Sequence, residues 1–148
     1  MQEESIKVVI DAYIIKGILG VEPYDKVFSV MQEKCHMLVI SSELVDKYTE
    51  AIKKNHYSSR TLAYPKLEKL YCSEKVSSAD KEIEELKEIR VKVEDKDDIP
   101  FVKAAVAAKA KYLLTEDQKH LLSKKEEFKR EYQIEVLTPE EYIKKFQN

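Results

Sequence analysis

The stretch Lys7-Val8-Val9-Ile10-Asp11 decides the fold. Three β-forming apolar residues in a row, with no alternation, predict a strand buried on both faces, as at the centre of a parallel sheet. The run ends in a carboxylate. A carboxylate buried without a partner is costly, so Asp11 is expected at the carboxyl edge of the sheet, where open α/β folds bind ligands. Taken alone, Asp11 could equally cap the next helix. The choice depends on whether other carboxylates reach the same edge.

A chain of 148 residues is long enough to bury one sizeable core, and a single domain over residues 1–148 is expected. Lys and Arg number 26 against 28 Asp and Glu, so no global field draws the protein to nucleic acid or to an anionic membrane. Any polyanion site must be a local patch. Only 2 Gly and 4 Pro occur, which leaves no material for a long flexible linker. Cys35 and Cys72 lack a CxxC spacing and read as buried, reduced thiols. The acidic start, Met1-Gln2-Glu3-Glu4, is followed by no long apolar stretch. Neither signal peptide nor membrane span is expected, and a cytoplasmic protein is.

Strands and helices alternate along the chain. Ala12 to Leu19 has helical spacing and Gly20 can end it; Pro23 opens a second helix with Val27, Phe28, Val30 and Met31 inside. Met37-Leu38-Val39-Ile40 predicts the second strand, and Glu43 begins a helix running to about Asn55. Ser58-Ser59 and Pro65 punctuate the next region, and Cys72 to Ser78 reads as a turn before a charged helix with Ile83, Leu86 and Ile89. Val91 and Val93 alternate with Lys92 and Glu94, predicting a half-exposed third strand. An acidic loop leads into the small-residue helix Phe101 to Ala108. Tyr112-Leu113-Leu114 predicts the fourth strand, a basic helical stretch follows, and Ile134, Val136 and Leu137 predict the last. Thr138-Pro139-Glu140-Glu141 carries a capping box for a final helix. The pattern is α/β, with a mostly parallel sheet covered on both faces.

Right-handed crossovers bring all strand ends of such a sheet to one edge. There Asp11 ends strand one, Glu43 opens the helix after strand two, Asp98 the helix after strand three, and Asp117 follows strand four. Each alone could be a cap; together, like charges brought to one crevice imply a cation that neutralises them. Oxygen ligands without a Cys or His cluster point to Mg²⁺ or Mn²⁺. Such ions activate water for attack on a phosphodiester, which is nuclease chemistry. Glycine-rich phosphate loops, GxGxxG and GxSxG are absent from the sequence. His36, His56 and His120 are scattered; His120 lies near the site edge, where contact with phosphate competes with a solvated surface role.

These motifs, in this order, resemble the PIN-domain family of metal-dependent ribonucleases, which includes toxins of many prokaryotic toxin–antitoxin pairs. The matching stretches are Val8–Asp11, Leu38–Ser41 with its helix, Asp97–Phe101 with the alanine-rich helix, Tyr112–Asp117 and Val136–Tyr142, spanning nearly the whole chain. The resemblance implies a PIN-like three-layer α/β/α fold with a five-stranded sheet, an acidic Mg²⁺ or Mn²⁺ pocket, and single-stranded RNA as substrate. It also implies an antitoxin protein as possible partner, and a homodimer. Asp11, Asp98 and Asp117, with Glu43 or else Asp46, would hold the metal, and Thr115 would support Asp117.

Two positions depart from the family. Tyr13 stands where a small polar residue is usual, and one alignment sets the acidic ligand of the second-strand helix at Lys47. Helix geometry favours Glu43, because Lys47 lies ~6 Å further along the axis. These departures motivate an alternative, a catalytically weakened PIN-fold protein that binds RNA or a partner protein without cutting. Lys53, Lys54, Arg60 and the basic residues after Asp117 could grip phosphates, and Tyr13 and Tyr57 could stack on bases, with surface packing the ordinary role of each. A receiver-like signalling domain needs an acidic pair and a Lys that are not properly placed here.

Overall fold

In the computed structural model, residues 5–54 and 60–147 are described, the side chains of 60–62 excepted. Asn55, His56, Tyr57 and Ser58-Ser59 lie outside the described residues, as does the side chain of Arg60. Strand β1 (Lys7–Ile10) is central, and Val8, Val9 and Ile10 are fully buried. Its neighbours are β2 (Met37–Ile40) and β4 (Tyr112–Leu114), with Val8 in register with both Leu38 and Tyr112. The edges are β3 (Val76–Ser78) beside β2 and β5 (Glu135–Leu137) beside β4. All pairings are parallel, giving a five-stranded sheet in the order β3-β2-β1-β4-β5. Helices on its two faces complete the three-layer α/β/α fold expected of the sequence.

Between β1 and β2 lie a 3₁₀ helix (Ala12–Leu19) and α1 (Tyr24–Glu33). Gly17 belongs there because a Cβ would stand 2.3 Å from the Tyr24 carbonyl oxygen. Helices α2 (Ser42–Lys54) and α3 (Arg60–Tyr71) join β2 to β3, with Pro65 inside α3 rather than punctuating it. Helices α4 (Asp80–Glu85) and α5 (Ile99–Ala108) lead from β3 to β4. A short 3₁₀ turn (Leu122–Lys124) and α6 (Lys125–Tyr132) precede β5, and α7 (Pro139–Phe146) follows it with the capping box formed. None of the described helices is long and apolar enough to cross a membrane.

The third strand is displaced from its expected place. It is Val76–Ser78, not Val91–Val93. An edge strand pairs on one side only, so a single valine and two serines suffice. Val91 is buried in the core, with Ile89 and Val93 partly buried against it, and its neighbours satisfy their backbone through side chains of the following region: Arg90 N–H donates to the Tyr132 hydroxyl (2.7 Å) and Lys124 Nζ to the Lys92 carbonyl. Alternation there marks an anchored loop. The acid after the true third strand is Asp80, whose carboxylate accepts from the Ser42 N–H (2.8 Å) and hydroxyl (3.0 Å) and so caps α2. Cys35 and Cys72 are free and exposed, not buried; each lies in the connection just after a helix, α1 and α3.

Tyr48, fully buried on α2, donates its hydroxyl to the Ile10 carbonyl (2.8 Å) and so pins the second turn of α2 beside the end of β1. Tyr48→Phe leaves that carbonyl buried without its donor and is expected to cost about 1–3 kcal/mol. The check is denaturant unfolding, read as a lowered midpoint at unchanged slope.

Candidate metal centre

Backbone pairing delivers the functional side chains to one edge. The Asp11 N–H donates to the Leu114 carbonyl (2.9 Å), and the Thr115 N–H to the Leu137 carbonyl (2.9 Å), so β1, β4 and β5 end level. Thr115 is fully buried and bridges two acids. Its hydroxyl donates to Asp11 Oδ2 (3.0 Å) and accepts the Asp117 N–H (2.9 Å). Asp117 Oδ1 in turn accepts the His120 N–H (3.0 Å), closing a tight turn.

Asp98 comes to the same place from the loop before α5. It occupies the N-cap position, yet its carboxyl makes no capping hydrogen bond. The residue is 6% exposed, and its Oδ2 is buried without a hydrogen-bond partner among the described residues. Burial, a hydrogen bond shared with Asp117, and the charges of Asp117, Asp11 and Asp95 push Asp98 up to about 8. For Asp117 burial acts against ionisation, but hydrogen bonds from Asp98 and from the His120 and Lys119 backbone outweigh it and hold that carboxyl below its usual range. Asp98 therefore carries the proton of the pair. Asp11 is raised too, chiefly by burial, which outweighs its hydrogen bond from Thr115.

Asp11 and Asp98 line an open cavity of about 370 Å³ together with Tyr13, Lys47, Glu50 and Lys54. Glu43, on the first turn of α2, is exposed and does not line it; neither does Asp46. Because Tyr48 is pinned to Ile10, the neighbouring Lys47 lies level with Asp11, and the cavity wall continues down α2 from there. Lys47 Nζ lies 3.8 Å from Asp97 Oδ1. Asp97 is mostly exposed, so the pair is weak, but it brings an ammonium to the rim of an acidic cavity. Glu50, the α2 carboxylate on this wall, is paired with Lys54 (3.6 Å). Tyr13 stands half exposed at the rim with Lys16 Nζ 3.7 Å from its ring centroid. Of the basic residues after Asp117, Lys129 pairs with Glu135 (3.1 Å) and Arg130 with Glu131 (3.7 Å), which reduces what they offer a phosphate.

The site thus unites Asp11, Asp98, Asp117 and Thr115. The residues fit a divalent cation: oxygen donors converge, like charges crowd one another, and Asp98 Oδ2 is desolvated without a donor among the described residues. Sequence reading passed over Asp95, which together with Asp117 and His120 offers ligand atoms all within 4.8 Å of one another. Their Asp-x-x-Asp and Asp-x-x-His spacings (Asp95–Asp98, Asp117–His120) were the available signal.

A family model described as a PIN domain matches residues 7–119. No curated protein matches the sequence. Among solved structures, a chain from the crystal structure of VapBC2 from Rickettsia felis, bound to a DNA fragment from their promoter, superposes with a TM-score of 0.54. It is 14% identical, over 88% of this chain and 97% of that one, a likeness of fold alone.

A proton held to about pH 8 has a thermodynamic signature. An unfolded Asp titrates near 3.9, so from about pH 4 to 8 the folded state binds the extra proton. Stability from this group is complete at low pH and is lost as pH rises through 8; Asp11, also raised, acts in the same direction. Thermal melts in chelator should show a midpoint falling from about pH 5 to 8 and levelling above, and Asp98→Asn should flatten most of that fall. An equally steep fall in the variant would contradict the assignment of the proton.

Proposed function

The chain belongs to the PIN-domain family, and from that premise we propose that it is a metal-dependent endoribonuclease hydrolysing phosphodiester bonds in single-stranded RNA. The observation that carries this reading is Asp98, desolvated and sharing a proton with Asp117 beside Asp11. Asp11, Asp98 and Asp117, joined through Thr115 and the Asp98–Asp117 hydrogen bond, would hold Mg²⁺ or Mn²⁺, and Glu43, exposed on the first turn of α2, is left out. When bound, such an ion polarises a phosphoryl oxygen and lowers the pKa of water in its shell. To hold the ion, Asp98 would have to give up its proton. Thr115 fixes the facing oxygen of Asp11 and the backbone of Asp117, so neither acid must reorganise. At the rim, Tyr13 offers a face on which a base can stack, while Lys54, paired with Glu50, offers a phosphate only a reduced charge. A single domain over 1–148, a toxin's role with an antitoxin protein as partner, a homodimer and a cytoplasmic location are parts of the same proposal, drawn from the family's habits.

A second reading has one observation in its favour. Lys47 brings an ammonium into the wall that holds Asp11 and Asp98. Its charge competes with a cation for the same carboxylates, which favours a protein that binds RNA or a partner without cutting.

Cleavage of unstructured RNA with Mn²⁺ separates the two. On the first reading the wild type cuts, Asp11→Asn and Asp98→Asn lose at least ~100-fold, and Thr115→Val, which removes only the supporting hydroxyl, loses ~10–100-fold. A folded wild type that binds RNA without cutting it would sink the nuclease reading and leave the second. Cleavage undiminished in the aspartate variants would place the activity elsewhere.

A further inference from the structure

The carboxylates do not stand alone. Two turns face each other at this edge. In one, Asp95 Oδ1 accepts the Asp97 N–H (2.9 Å) and the Asp95 carbonyl accepts the Asp98 N–H (3.1 Å), which ties Asp95 to the start of α5. In the other, Asp117 Oδ1 accepts the His120 N–H (3.0 Å), which sets the imidazole beside the carboxylate. Asp95, Asp117 and His120 each contribute an atom to a group no wider than 4.8 Å.

A second observation points to a ligand. Asp98, 6% exposed, has a buried Oδ2 with no hydrogen-bond partner among the described residues, and the Nδ1 of His120 is also buried without one. Orphaned buried acceptors are rare because each forfeits its hydration. Here an oxygen and a nitrogen are left so at one cluster. A cation held by Asp95, Asp117 and His120 would satisfy the nitrogen, and Asp98 is tied to that group by its hydrogen bond with Asp117.

We infer that His120 and Asp95 extend the acidic centre into a mixed nitrogen and oxygen site that takes a first-row transition-metal dication, such as Mn²⁺, in preference to Mg²⁺. The inference rests on reading the cluster as a cation site, and does not depend on RNA cleavage. Mg²⁺ prefers oxygen and retains its waters, whereas imidazole is a good donor to transition ions. The sequence shows no Cys or His cluster, which points to oxygen ligands alone; one histidine, three residues past Asp117, is enough to alter the preference.

The test is calorimetric titration of the full chain with Mn²⁺ and with Mg²⁺, joined to pulsed electron paramagnetic resonance of the Mn²⁺-loaded wild type. The expected result is Mn²⁺ bound at least ~10-fold tighter than Mg²⁺, with a ¹⁴N coupling from a directly bound imidazole. His120→Gln should abolish the coupling and weaken Mn²⁺ by ~10-fold or more, leaving Mg²⁺ within about twofold. The wild-type spectrum needs no variant, so a folding defect cannot obscure the answer. Mn²⁺ binding without nitrogen coupling, lost in Asp98→Asn but unchanged in His120→Gln, would overturn the inference while the acidic site stands. No binding of either ion by the wild type would overturn both.

Discussion

A single proton shared between Asp98 and Asp117 is what allows three acids to crowd the carboxyl edge of β1 and β4. Without it, burial and mutual repulsion would act together against the ionised cluster. Everything local is arranged around that constraint. Thr115 spaces Asp11 from Asp117 with one hydroxyl, and the turn to His120 holds Asp117 from the far side. The strands that carry them end level because β1 and β4 pair through Val9 with Leu113 and Ile10 with Leu114. The edge is therefore rigid in backbone and frustrated in charge, the combination expected of a centre that is completed by a ligand.

The second constraint is the seating of α2. The hydroxyl of Tyr48 has to find a partner in the core and finds the last carbonyl of β1. That bond decides which turn of α2 meets the cavity, so Lys47 stands there and Glu43 does not. A charged rim beside a protonated pair would make the proposed site weaker toward cations than three carboxylates alone. On the cation-site reading, Lys47 and the proton on Asp98 would act in the same direction, both standing against an incoming cation, except that the proton can leave and the ammonium stays.

Much of this was legible in the chain. An unbroken Val8-Val9-Ile10 run could only be a central strand, and its acid pointed to the binding edge. Where the reading slipped, tertiary context had outweighed local pattern. Val91 and Val93 alternate like a strand, but the backbone around them is satisfied by Tyr132 and Lys124, and the edge place went to the apolar-poor Val76–Ser78. That shift also reassigns a carboxylate: Asp80 is the acid after the third strand, and it caps α2. Helix geometry alone favoured Glu43, since nothing in the sequence shows where along its length a helix is pinned. Asp95 and His120 were passed over because a loop acid and a lone histidine signify little until two turns face each other.

The central claim, that this edge is a cation site built on Asp98 and Asp117, is tested most directly by anomalous scattering at the manganese edge from crystals soaked in Mn²⁺ near neutral pH. The expected result is one strong peak in contact with carboxylate oxygens of both residues. A peak-free site, with the Lys47 ammonium inserted between the carboxylates in its place, would contradict it.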